Sequence, residues 1–267
     1  MKVVSWIEDG TAQYGSLDGD SVERLSGGWG AFTPTGEVIP SAGLAFGAPI
    51  APRSIVCVGL NYRLHAEEAG LPVPDQPALF TKLVSSLAAH GDAIEKPALT
   101  SRLDYEVELG VVIGRMTRHA TLENALDHVA GYVTVNDVSA RDLQKGDGFG
   151  WVRGKSADGF CPVGPYVVTA DEVPDPQALR LTTYVNDEKR QDSNTSDMIF
   201  SVAEIIAFVS GVVTLHPGDL IITGTPSGVA DGMTPPRYLE VGDRMAVEVE
   251  GLGRLENTIV AEGHARG

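Results

Sequence analysis

Two glutamates stand two residues apart in an otherwise apolar run, Leu103-Asp-Tyr-Glu106-Val-Glu108-Leu-Gly-Val-Val-Ile113. Side chains alternate across a strand, so a strand over Tyr105 to Ile113 sends Glu106 and Glu108 to one face. Like charges side by side on a half-buried surface repel unless a cation or basic group lies between them. A solvent-facing strand edge suits the same spacing. Asp137 ends the next apolar run, Gly131-Tyr-Val-Thr-Val-Asn136-Asp137, where it could complete a three-carboxylate site or serve as a helix cap or turn residue. Ligands made of oxygen alone suit magnesium, manganese or calcium better than zinc.

A base and a cation stand elsewhere in the chain. His65 and Glu68, in Asn61-Tyr-Arg-Leu-His65-Ala-Glu-Glu68, are three apart, so on a short helix they share a face and can hydrogen-bond, while Glu67 points away. A carboxylate that orients an imidazole yields a general base for water; an exposed polar helix with an incidental histidine has the same spacing. Lys155 sits in the glycine-punctuated Trp151-Val-Arg-Gly-Lys155, where it could neutralise a carboxylate or oxyanion or simply face solvent. Thr223-Gly-Thr225-Pro-Ser-Gly228 could present amides and a hydroxyl to a carboxylate, but it lacks the lysine and spacing of a nucleotide-binding loop.

The elements that must position these groups are mostly strands. Beyond Tyr105 to Ile113, strands are predicted over Gly131 to Asn136, Tyr166 to Thr169, Leu179 to Val185, Asp219 to Thr223 and Met245 to Val249. Helices are predicted over Leu122 to Val129, Ala203 to Ser210, and Tyr62 to Ala69, the last ended by Gly70 and Pro72. Residues 1–51 read as a small N-terminal β appendage, with strands at Val3 to Ile7 and Tyr14 to Leu17 followed by a loose Gly/Pro/Ala stretch. Residues 52–267 form the main domain, so the expected class is α+β and β-rich.

Composition narrows the function. With 267 residues, 43% hydrophobic and 21% charged, the chain can bury a sizeable core. A formal charge of −16 argues against nucleic acid and anionic lipid as partners, and it favours a bound cation wherever an anionic substrate is to be held. Cys57 and Cys161 have no C-x-x-C spacing, so both are expected reduced and buried. Neither a signal-type apolar region nor a membrane span is legible, which places the protein in the cytoplasm.

These pieces, in this order, resemble the fumarylacetoacetate hydrolase family over nearly all of residues 52–267. The likeness is carried by Gly59-Leu-Asn-Tyr62 with His65 and Glu68, Asp104-Tyr-Glu-Val-Glu-Leu-Gly110, Asn136-Asp-Val-Ser-Ala-Arg-Asp142, Gly154-Lys-Ser156, Cys161-Pro-Val-Gly-Pro165, and Gly218-Asp219 with Gly224-Thr-Pro-Ser-Gly-Val229. The resemblance implies a mixed β-roll, usually dimeric, around magnesium or manganese, with calcium as a possible substitute. By it, Glu106, Glu108 and Asp137 match the metal ligands, and His65 with Glu68 match a water-activating dyad on a mobile lid. Lys155 matches the charge-stabilising lysine, Arg141 and Gln144 match substrate-pocket positions, and Thr225 matches a position that binds the substrate carboxylate. The glycine-rich stretch from Gln144 to Trp151 is expected to border the pocket. The implied substrate is a small 2-oxo acid.

The leading expectation is hydrolysis of the carbon-carbon bond of an acylpyruvate or related 2,4-dioxo acid through a metal-stabilised enolate. Oxaloacetate decarboxylation and isomerisation of a 2-hydroxyhepta-2,4-diene-1,7-dioate would use the same groups. A noncatalytic metal-dependent binding protein is the alternative from another class.

Overall fold

The computed structural model describes residues 1–146 and 150–263. Val107–Ile113, read VELGVVI, is buried at every position, and Val129–Asn136 beside it is buried over its last six. A strand covered on both faces tolerates such continuous β-branched runs. These two pair antiparallel at the centre of one long mixed sheet. Its order is Thr33–Pro40, Ser21–Ser26, Thr11–Asp18, Lys2–Glu8, Cys161–Thr169, Val129–Asn136, Val107–Ile113, Leu220–Ile222, Ile55–Gly59, Ala78–Lys82, with Leu87–Ala88 joining at Cys161–Thr169. A five-stranded sheet follows the order Glu188–Asn194, Arg180–Val185, Arg244–Val249, Gly253–Ala261, Ala93–Lys96.

The core fills both faces of the long sheet. On one face Leu109 and Val111 pack with Leu181, Val247 and Leu255 of the second sheet and with Ile205, Ile206 and Val209 of the Val202–Ser210 helix. On the other, Ile55, Cys57, Val133, Val135, Val163 and Ile222 form a second cluster. Each such side chain contributes about 1.5–3 kcal/mol by leaving water. Both cysteines are buried and free, as their context predicts. The architecture is the expected β-rich mixed roll, and no helix among the described residues is long and apolar enough to cross a membrane.

Local chemistry explains where the elements start and stop. Ser201 and Glu204 form a complete capping box, which begins the helix at Val202. Ser201→Ala is expected to cost about 1 kcal/mol, read as a lower urea midpoint at unchanged m-value. The Arg63–Glu68 helix ends before Gly70, whose φ of +64° no β-carbon needs to contest.

Three expectations change. The helix predicted over Leu122 to Val129 is a single 3₁₀ turn, Ala125–His128, because Val129 already pairs with Ile113 at the start of a central strand. The strand predicted from Tyr105 is interrupted: Leu103–Asp104 pairs with Ser139–Ala140, and regular pairing resumes at Val107. In the gap the Asn136 side chain accepts from the Glu106 amide at 3.0 Å, and Gln191 Oε1 accepts from the Val107 amide at 3.0 Å. The stretch after Leu17 holds two further strands, Ser21–Ser26 and Thr33–Pro40. The second is exposed almost throughout and contains Pro34, Gly36 and Pro40, so it has no in-and-out pattern to read. Residues 1–40 also extend the main sheet, since Lys2 and Val3 pair with Val168 and Val167.

Candidate metal centre and active-site cleft

The carboxylates meet through strand register. Val107 lies opposite Asn136, and one step beyond the last rung the Asp137 amide donates to the Glu106 carbonyl at 2.9 Å. Opposed residues of an antiparallel pair share a face, so Asp137 stands beside Glu106, and Glu108 follows two residues along on that face. One oxygen from each of the three lies within 4.8 Å of the other two, and all three side chains are buried.

Every carboxylate has one oxygen held by the protein. Arg141 Nη2 lies 2.6 Å from Glu106 Oε1, the Gly224 amide donates to Glu108 Oε2 at 2.5 Å, and Lys82 Nζ donates to Asp137 Oδ1 at 2.5 Å. Lys155 Nζ donates to the remaining Glu106 Oε2 at 2.7 Å and Asp137 Oδ2 at 2.8 Å. It therefore sits as a cation between two of the oxygens that an ion would use. Three single-oxygen donors on one side, with room for water or substrate on the other, fit a hard six-coordinate ion. Glu106, Glu108 and Asp137 are the residues that would hold it.

The cluster's electrostatics point the same way. Burial pushes the Glu108 carboxyl up, and the neighbouring Asp137 and Glu106 charges push it further, well above the usual carboxylate range despite Lys155 and the Gly224 amide. Burial also acts on Glu106, but Lys155 and Arg141 outweigh it and hold that carboxyl at about 2. A carboxyl whose folded pKa is raised adds stability below its unfolded value, and that stability is lost as pH rises through the folded one. For Glu108 an arriving cation takes the proton's place. Magnesium binding is therefore expected to release protons, and affinity should rise with pH; calorimetry in buffers of different ionisation enthalpy measures both. Binding without proton release and with no rise in affinity as pH increases would contradict the upward shift of the Glu108 carboxyl.

The dyad forms on the Arg63–Glu68 helix, where His65 Nδ1 lies 3.0 Å from Glu68 Oε2. Glu68 Oε1 accepts from the Gly228 amide at 2.8 Å, so both of its oxygens are engaged. Gly228 has φ +99°, and a β-carbon there would lie 2.3 Å from the Arg190 carbonyl oxygen. The amides of Gly224 and Gly228 thus serve the protein's own carboxylates. The Thr225 hydroxyl donates to the Val107 carbonyl and accepts from Gln191, each at 2.9 Å, which leaves it no proton for a substrate as placed.

A cleft of about 310 Å³ is lined by His65, Glu106, Glu108, Arg141, Lys155 and Thr225, while Asp137 and Glu68 lie behind them. Its apolar lining comes from Val58, Leu60, Leu71, Phe80, Trp151 and Val229. The Phe80 and Trp151 rings pack at 4.8 Å between centroids. Gln144 also lines it and accepts from Arg141 at 3.1 Å. Of the glycine-rich stretch expected to border the pocket, Gln144, Lys145 and Trp151 do so, while residues 147–149 lie outside the described residues.

The sequence profile of the fumarylacetoacetate (FAA) hydrolase C-terminal region matches residues 54–260. The chain belongs to the fumarylacetoacetate hydrolase family. Residues 1–49 of this family member match a second profile, Rv2993c-like, N-terminal. It is 51% identical over 200 residues to 2,4-didehydro-3-deoxy-L-rhamnonate hydrolase of Sphingomonas sp. (strain SKA58), covering 74% of this chain and 70% of that one. It is 44% identical over 225 residues to the mitochondrial oxaloacetate tautomerase FAHD2A of Bos taurus, covering 84% and 72%. The structure of a 2-hydroxyhepta-2,4-diene-1,7-dioate isomerase from Mycobacterium marinum superposes with a TM-score of 0.86 at 36% identity, covering 98% and 99%. Family members thus include hydrolases, tautomerases and isomerases.

Sequence reasoning on this family member missed Lys82, Asn136 and Gln191, all buried beside the cluster. Lys82 carried a signal: it alternates with Ala78 and Phe80 in Ala78–Lys82 and is followed by Leu83 and Val84, an odd place for a solvated amine.

Proposed function

We propose that this protein is a divalent-metal-dependent hydrolase that cleaves the carbon-carbon bond of an acylpyruvate or related 2,4-dioxo acid. The observation that carries the reading is a cluster of three buried carboxylates, two of which, Glu106 and Glu108, line the same cleft as an imidazole held by a buttressed carboxylate. A bound magnesium or manganese ion would act as a Lewis acid toward the 2-oxo group and its carboxylate. Glu68, as acceptor, selects the imidazole tautomer protonated on Nδ1 and leaves His65 Nε2 to take a proton from water. That water adds to the C4 carbonyl, the C3–C4 bond breaks, and C3 takes up a proton. An acylpyruvate plus water so becomes a carboxylic acid plus pyruvate. Lys155 and Arg141 supply positive charge on the cleft side for the carboxylate and the developing oxyanion. The apolar lining suits an uncharged acyl tail.

The Sphingomonas hydrolase supports this reading, since its named substrate is oxidised at C2 and C4 around a deoxygenated C3. A second reading is favoured by the likeness to an oxaloacetate tautomerase: the same His65 could move a proton at C3 without adding water. Metal-stripped protein is the test. Pyruvate release from acylpyruvates on restoring magnesium or manganese, absent without the ion, is the expected result. Metal-dependent change in oxaloacetate ultraviolet absorbance with no pyruvate from any acylpyruvate would replace hydrolysis with tautomerisation.

A further inference from the structure

The group that holds Asp137 differs from the other two. Arg141 lines the cleft and Gly224 contributes a backbone amide, whereas Lys82 is a complete side chain brought to the cluster from the edge strand Ala78–Lys82. Its side chain and that of Asp137 are both 0% exposed, and it does not line the cleft. Besides Asp137 Oδ1 at 2.5 Å, it reaches the Val138 carbonyl at 3.3 Å. Desolvating an ammonium is costly, and chain stability alone would be served as well by an apolar residue.

Its location gives Lys82 a task that Lys155 cannot perform. Lys155 faces the cleft on Asp137 Oδ2 and must give way to an ion, while Lys82 occupies Oδ1 from the interior side. With Oδ1 occupied, Asp137 can offer a cation one oxygen only. Magnesium and manganese accept single-oxygen carboxylates in six-coordinate geometry; calcium takes six to eight oxygens and uses chelating carboxylates readily. We propose that Lys82 is a positioning residue that restricts Asp137 to one ligand oxygen and so sets the centre's preference for magnesium and manganese over calcium.

The inference rests on the metal-centre reading above, and its readout is a ratio. Removing a positive charge strengthens the binding of every divalent ion to a similar degree, so the change in charge cancels between calcium and magnesium. The effect on ligand geometry does not cancel. Calorimetric dissociation constants for both ions, with manganese binding followed by electron paramagnetic resonance, are compared among wild type, Lys82→Met and Lys82→Arg. Lys82→Met is expected to shift the calcium-to-magnesium ratio at least about tenfold toward calcium, and Lys82→Arg, which keeps a donor, to stay within about threefold of wild type. An unchanged ratio in folded Lys82→Met overturns the proposal. Should that variant not fold, X-ray absorption on manganese-loaded wild type decides: single-oxygen carboxylates support the role, and a chelating carboxylate overturns it. A wild type that binds no divalent ion overturns the metal centre itself.

Discussion

Glu108→Gln is expected to lower magnesium-supported turnover by about a thousandfold, or roughly 4 kcal/mol of barrier, while leaving the ion-free protein as stable as wild type. Without an ion, burial and the charges of Asp137 and Glu106 favour the protonated Glu108 carboxyl, so the fold already accommodates a neutral side chain there. Glutamine keeps the size, retains an oxygen for the Gly224 amide, and can donate to the neighbouring carboxylates. It removes one of three anionic ligands. Thermal unfolding with and without magnesium reads both parts: equal midpoints without the ion, and loss of the ion-dependent increase in the variant. Full turnover in Glu108→Gln would remove Glu108 from the metal centre. Glu106→Gln is a poorer test, because it also breaks buried ion pairs to Lys155 and Arg141, which retain only Asp137 and Asp104, and so is expected to change stability as well as metal binding.

His65→Ala is expected to lower kcat for acylpyruvate hydrolysis by about 10²- to 10⁴-fold with divalent-ion affinity little changed. The imidazole bonds to Glu68 and to none of the three carboxylates, so its removal takes away the base without disturbing a ligand. Glu68→Gln should act in the same direction to a smaller extent, because the imidazole remains but loses the acceptor that fixes its tautomer. Loss of carbon dioxide from oxaloacetate needs no activated water. A variant that lost hydrolysis and decarboxylation equally would therefore assign His65 a part in proton transfer at C3, in line with the tautomerase relative.

The cleft couples these effects to its apolar lining. Trp151 packs against Phe80 at a tilt, and Lys155 Nζ lies 5.5 Å from the centre of the Phe80 ring, so the aromatic pair flanks the ammonium that lines the cleft. Lys145 at the rim is already ion-paired with Asp231, which weakens it as a receptor for a second substrate carboxylate. Both features favour a substrate with one charged end.

Much of the site was legible in the residues alone. Alternation placed Glu106 and Glu108 on one face, and their carboxylates do meet in one buried cluster although the strand is interrupted at Glu106. The spacing of three gave the His65–Glu68 pair, since two residues one helical turn apart meet whatever surrounds them. Gly70 ended that helix as predicted, and the two cysteines lie buried and unpaired. Only the tertiary structure set Asp137 opposite Glu106, because register is decided by which side chains the two sheet faces bury, far along the chain. Only it turned the Gly224 and Gly228 amides toward protein carboxylates and committed the Thr225 hydroxyl to Val107 and Gln191. Only it drove Lys82 beneath the cluster. Local periodicity fixes the direction in which a side chain leaves its own element, but the charge or hydrogen-bond partner it meets belongs to another element, and that meeting is settled by packing.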